Sequence, residues 1–88
     1  MIAGHWFVTP HATRQFMARI DPRLTYDAAR NAILRGMERA GRLERTRNGR
    51  AYRTRIRPNA DYPYAFRAVV GPGEGTMPAV ITILRSGA

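Results

Sequence analysis

The sequence predicts an α+β domain with two N-terminal helices packed on one face of a four-stranded antiparallel sheet. Three observations predict it. Thr9-Pro10 and Thr25 each open a stretch whose apolar residues recur at helical spacing. Beyond Gly41 the apolar residues alternate with polar ones instead. Asn48-Gly49 and the glycine-rich segment 71–75 then divide the second half into extended runs joined by tight turns.

His5-Trp6-Phe7-Val8 fits either a brief strand or a set of aromatics packed on the core. Thr9 supplies a capping hydroxyl and Pro10 suits the first helical position. Ala12, Phe16 and Ile20, with Met17 beside them, form the buried stripe of the first helix, which Asp21-Pro22 ends. Thr25 caps the second helix, and Asp27 in its first turn suits the positive end of the helix dipole. Ala28, Ala29, Ala32, Ile33, Met37 and Ala40 mark its buried face. Arg30, Arg35 and Arg39 mark its wet one, and Gly41 is a natural stop.

The helical hairpin thus covers 9–41 and the sheet 42–85, as one domain of 88 residues. Asn48-Gly49 tolerates the positive φ angles of a two-residue hairpin turn between strands 43–47 and 50–57. In the second arm Tyr52, Thr54 and Ile56 alternate with Arg53, Arg55 and Arg57, so one face is apolar and the other cationic. Pro58 to Pro63 is a loop with Asn59, Ala60 and Asp61 as turn formers. Tyr64–Val70 and Ala79–Leu84 are the last two strands. Their connection holds three glycines in 71–75 but lacks the Gly-Lys-Ser/Thr of a phosphate-cradling loop, so it reads as a hairpin connection.

Charge is the strongest functional signal. The net charge is +9, and all 15 basic residues are arginines. A basic surface favours nucleic acid, an acidic protein or an anionic membrane. Arginine adds a planar fork that pairs with phosphate through two hydrogen bonds and stacks on bases. Seven of the arginines fall between Arg42 and Arg57, against the single acid Glu44. Arg45, Arg47, Arg50, Arg53, Arg55 and Arg57 are therefore candidate phosphate contacts, with Arg14 on the first helix. Tyr52, Tyr62 and Tyr64 suit either base stacking or packing.

Other classes find little support. There is no cysteine, and the two histidines and six acids show no metal-ligand spacing, so neither a metal nor another cofactor is expected. The longest apolar run, Ala79–Leu84, is too short for a membrane span, and residues 1–8 lack the order of a signal peptide. A soluble cytoplasmic protein without a membrane partner is expected. The basic residues alternate on a strand rather than lining an amphipathic helix, which also argues against a membrane-surface role.

His11 falls in the first turn of the first helix, where free N–H groups favour an anion. Beside Arg14 it is a candidate general base, or else a half-buried ring bonded to a carbonyl. Arg67 interrupts an apolar strand and Thr82 interrupts its partner. Pairing Val70 with Ala79 would set Arg67 opposite Thr82 on one face. There Arg67 either has a functional role, is solvated, or pairs with Asp61 or Glu44.

The run His11-Ala12-Thr13-Arg14-Gln15-Phe16-Met17-Ala18-Arg19 and the ending Val80-Ile81-Thr82-Ile83-Leu84 resemble small bacterial and phage proteins. Those proteins are similar to the RelE, colicin D and contact-dependent-inhibition toxin group of metal-independent ribonucleases. The resemblance implies a RelE-like fold in which a helical histidine, strand arginines and a strand Ser or Thr meet at an RNA phosphate. The matching residues are His11, Arg14, Arg53 or Arg55, Arg67 and Thr82, with His11, Arg67 and Thr82 as the catalytic set. It also implies RNA ahead of DNA as ligand and an acidic antitoxin, immunity or host protein as a possible second partner. The chain departs from the toxin pattern in having no lysine and no second well-placed histidine or glutamate as proton donor. A binder without catalysis, using the arginine hairpin on nucleic acid or an acidic protein, is the alternative expectation.

Overall fold

Thr9 and Thr25 start the two helices by the same device. In the computed structural model, which describes residues 6–40, 43–45, 52–72 and 78–85, Thr9 Oγ1 accepts the Ala12 N–H at 3.1 Å. Thr25 Oγ1 accepts the Ala28 N–H at 3.2 Å. Helix α1 runs Pro10–Arg19 and α2 runs Tyr26–Glu38. Proline at the first position of α1 sacrifices no helical hydrogen bond, because that N–H has no partner within the helix. The N–H groups of Ile20 and Asp21 both turn back to the Phe16 carbonyl, at 2.9 and 3.1 Å. Pro22 then prevents continuation.

Among the described residues the sheet has five strands rather than four. They are β1 (Phe7–Val8), β2 (Glu44–Arg45), β3 (Tyr52–Ile56), β4 (Phe66–Pro72) and β5 (Pro78–Arg85). The order is β1-β5-β4-β3-β2, with β1 parallel to β5 and the other pairs antiparallel. The expected all-antiparallel sheet is thus corrected to a mixed one within the same α+β class. Two residues are too few to show a strand period, yet Phe7 and Val8 pair with Ala79 and Val80. The Thr9 N–H and hydroxyl then both reach the Val80 carbonyl, at 3.2 and 2.9 Å. The residue that caps α1 therefore also ties down the edge of β5. Farther along that edge Arg19 Nη1 donates to the Ile83 carbonyl at 3.1 Å. Both contacts occupy edge carbonyls that would otherwise invite another strand.

One face of the sheet is buried and one is open. Thr54 and Ile56 of β3 and Phe66, Ala68 and Val70 of β4 are buried with the helices. Phe16 of α1 is fully enclosed and meets Tyr64 and Phe66 edge-on, with ring centres 5.1 and 5.3 Å apart. From α2, Ala29, Ile33 and Met37 complete this core as their spacing predicts.

The β4–β5 register differs from the expected one. Val70 pairs with Val80, Val69 with Thr82 and Arg67 with Leu84, and a bulge leaves Ile81 without a partner. The cause is packing. Val80 and Ile83 are both buried yet lie three residues apart, so strict alternation cannot bury both. One inserted residue restores the inward phase.

The loop after β3 carries the least expected core residue. Asn59 Oδ1 accepts the N–H groups of Asp61 and Tyr62, at 2.8 and 2.9 Å, which folds the chain inward. Tyr62 is 2% exposed and donates its hydroxyl to the Ala32 carbonyl at 2.6 Å. Arg35 and Arg39 cover its ring, with guanidinium carbons 5.7 and 5.2 Å from the centre. Gly36 makes room for the phenol, since a Cβ there would stand 2.6 Å from Tyr62 Oη and 3.0 Å from Phe66 Cζ. Alanine in a helix interior normally gains about 1 kcal/mol over glycine. Here overpacking against a hydrogen-bonded ring costs about 1–3 kcal/mol, so Gly36→Ala is expected to lower the urea midpoint. A raised midpoint would show that Tyr62 moves aside freely.

Asp21 joins the interhelical turn to the segment before β4. Its Oδ1 accepts the Arg23 backbone N–H and Nε–H, and its Oδ2 accepts the Tyr64 hydroxyl at 2.9 Å. These bonds, the Arg23 side chain first and Tyr64 next, hold the carboxyl below the usual range. A folded value below the unfolded one gives stability that is present above about pH 4 and is lost as the pH falls through the folded value. At the other extreme, burial foremost and then the charge of Tyr64 push the Tyr62 phenol well up. The stability tied to that neutral phenol is present below about pH 10 and lost above it. Thermal midpoints should therefore fall at both ends of a pH series. Asp21→Asn should flatten the acid limb and leave the alkaline limb in place.

Candidate anion-binding face

The face turned away from the helices is built by strand alternation. Because Thr54, Ile56, Phe66 and Ala68 point inward, Arg53, Arg55 and Arg67 point outward. Register sets two ranks across this face. One runs Glu44, Arg53, Val69 and Thr82, and the other runs Arg55, Arg67 and Leu84. Arg57, just past β3, stands in line with Arg53 and Arg55. Its carbonyl is held by Arg39 Nη1 at 2.8 Å.

Glu44, Arg53, Thr54, Arg55, Arg57 and Arg67 line a groove of about 380 Å³. Among the described residues, four arginines and one glutamate thus line it. Arg55 and Arg67 are direct cross-strand partners, and like charges so placed repel. The ion pairs considered for Arg67, with Asp61 or Glu44, do not form. Among the described residues the one ion pair is Arg23 with Asp21, at 3.2 Å. Arg67 Nε is buried and has no hydrogen-bond partner among the described residues. An unpaired buried donor costs about 1–3 kcal/mol, and more when charged.

A second cleft lies on the other side of Arg67. It measures about 360 Å³ and is lined by Arg19, Arg67, Leu84 and Arg85. Leu84 faces it through the rank it shares with Arg67. Leu84 carries no signal of this position in the sequence, because the bulge moves it into the place expected for Thr82.

The expected site residues separate into groups. Arg53, Arg55, Arg57 and Arg67 come together in the groove. Thr82 shares their face but sits opposite Val69, diagonal to Arg67, and lines neither cleft. Arg45 pairs with Tyr52, whose alternation puts both on the helix-side face, where Arg45 Nη2 donates to the Tyr52 hydroxyl at 3.1 Å. That removes Arg45 from the phosphate-facing set. Arg47 and Arg50, with the Asn48-Gly49 turn, lie outside the described residues.

His11 and Arg14 are also elsewhere. Ala12, Thr13 and Phe16 are the buried positions of α1, and this phase turns His11 and Arg14 to its outer side. Neither cleft that Arg67 lines includes His11. The concavity expected to join an imidazole to Arg67 and Thr82 is therefore not formed. Of the tyrosines considered for stacking, Tyr62 is enclosed and Tyr64 is tied to Asp21, which leaves Tyr52 half-exposed.

Among the described residues no group of His, Cys, Asp or Glu could hold a metal ion, and no helix is long and apolar enough to cross a membrane. No protein-family model, curated protein or solved structure matches this chain.

Proposed function

We propose that this chain binds a polyanion on the open face of its sheet, with nucleic acid as the ligand, and holds it without cutting it. One observation carries the reading: Arg53, Arg55, Arg57 and Arg67 line a single groove, with Arg55 and Arg67 opposed and Arg67 Nε unpaired. Repulsion and an unmet donor disfavour that arrangement in the empty fold, and a phosphate between the two forks relieves both. The resemblance to RelE-type proteins keeps RNA ahead of DNA and suits a cytoplasmic setting. An acidic protein offers the same groove carboxylates in place of phosphates, and is the competing ligand to test.

The binding reading stands ahead of the ribonuclease reading because of proton chemistry. Arginine stays protonated and cannot act as a base. A general base must come within hydrogen-bond reach of the ribose hydroxyl, and His11 lies off the groove. Among the described residues, cleavage there would have to draw its base from Glu44, the one carboxylate that lines the groove.

Salt and RNA integrity test the proposal together. Affinity for labelled RNA should fall steeply as salt rises, because bound phosphates release counterions. RNA incubated with the protein in EDTA should remain intact, and His11→Ala should leave affinity unchanged. Salt-insensitive binding would sink the polyanion reading. RNA loss that Glu44→Gln prevents would restore catalysis, with a different base from the one the resemblance implies.

A further inference from the structure

We infer that the cleft beside Leu84 takes an unpaired nucleobase whose flanking phosphate sits in the arginine groove, so that the protein selects single-stranded over duplex nucleic acid. The inference rests on the polyanion reading above and deepens it.

Arg67 is the wall common to two clefts of unlike chemistry. On one side stand Arg53, Arg55 and Arg57, which suit phosphate oxygens. On the other, Leu84 supplies the apolar part of a cleft that Arg19 and Arg85 also line, Arg85 from the next position along the strand. Arg19 is fixed there by its bond to the Ile83 carbonyl, so its guanidinium is positioned before any ligand arrives. An apolar surface lined with arginines suits a nucleobase, which packs on carbon and stacks on guanidinium groups.

Arg55, Arg67 and Leu84 form one rank on neighbouring strands, spaced roughly 4.8 Å apart. A phosphate on the first two therefore has the apolar surface as its next neighbour. A duplex keeps its base faces stacked inside, whereas an unpaired nucleotide offers a free base face beside its phosphate. An acidic peptide would fill the groove and leave the Leu84 cleft without a flat partner.

The test compares three probes on the intact chain: a short oligoadenylate, the same strand annealed to oligouridylate, and inorganic polyphosphate. The single strand is expected to bind about five- to tenfold tighter than the duplex, the effect of one stacked base. Leu84→Ser should remove that margin and leave polyphosphate affinity unchanged. Should Leu84→Ser unfold the domain, Arg85→Gln serves in its place. Arg85 is exposed, and its loss should lower the ratio of single-strand to polyphosphate affinity. Equal affinity for strand and duplex, or a ratio that neither variant moves, overturns the base cleft and leaves a charge-only groove that an acidic protein fits as well. If polyphosphate itself fails to bind, the underlying polyanion reading has failed, and the base cleft with it.

Discussion

Replacing Arg53, Arg55 and Arg67 together by threonine should abolish polyanion binding and at the same time raise the melting temperature. Threonine keeps the strand preference while removing the charge. A hydrogen bond to a charged group contributes about 1.5–3 kcal/mol, so losing three such contacts should weaken binding at least about a hundredfold. The slope of log affinity against log salt should shrink by about 0.7 for each arginine that contacts a single strand, or about two in all. Stability should move the other way, because the opposed Arg55 and Arg67 repel and Arg67 Nε is unmet. The opposite signs are the test. If the arginines serve the fold, as Arg35 and Arg39 do over Tyr62, the triple variant will melt lower, and the ligand-binding reading of this groove must be given up. Fluorescence anisotropy and a thermal melt on the same preparation decide it.

Phe16→Ala should leave the domain largely unfolded at room temperature. Phe16 is fully enclosed, and both of its edge-on partners, Tyr64 and Phe66, belong to the sheet side of the core. Truncating such a ring costs about 3–5 kcal/mol for the cavity and lost transfer energy. Each aromatic pair contributes about 0.5–1.5 kcal/mol more. A small domain holds about 5 kcal/mol at the lower end of the usual range, so one substitution approaches the whole of it. Far-ultraviolet circular dichroism should show lost helix, and proteolysis should be fast. A variant that folds with only a small shift in midpoint would mean that α1 is not anchored through this ring. Phe16→Leu, which keeps most of the volume, should fold and restore the signal.

Much of the fold is legible in the residues, and the failures share a cause. Thr9-Pro10 and Thr25 mark both helix starts because capping is local, needing only a hydroxyl and a few residues of chain. The cationic face of β3 is legible for the same reason, since alternation from Tyr52 to Ile56 fixes which side chains go out. What depends on distant partners was hidden. Phe7 and Val8 become a strand only because β5 accepts them, 72 residues later in each pair. The bulge at Ile81 is invisible in a run where nearly every residue is apolar, so the expected Arg67–Thr82 pairing gives way to Arg67–Leu84. The burial of Tyr62 depends on the space above Gly36, a feature of two elements brought together. The outward turn of His11, by contrast, was readable from the stripe of Ala12, Phe16 and Ile20, which leaves it off the apolar face. Its place in the first helical turn and the resemblance both pointed to the imidazole, while the buried phase of the helix turns it away from the sheet.

The parallel seam of β1 with β5 has a kinetic consequence. Since Thr9 anchors to Val80, the start of α1 lacks its outer tether until the strand some seventy positions downstream has been translated. Such long-range closure is slow compared with helix formation. On a ribosome the arginine ribbon would therefore emerge well before β5 arrives to complete the surface that orients Arg67. Any attraction it has for RNA in that interval would be indiscriminate, and selectivity would switch on only with the last strand in place.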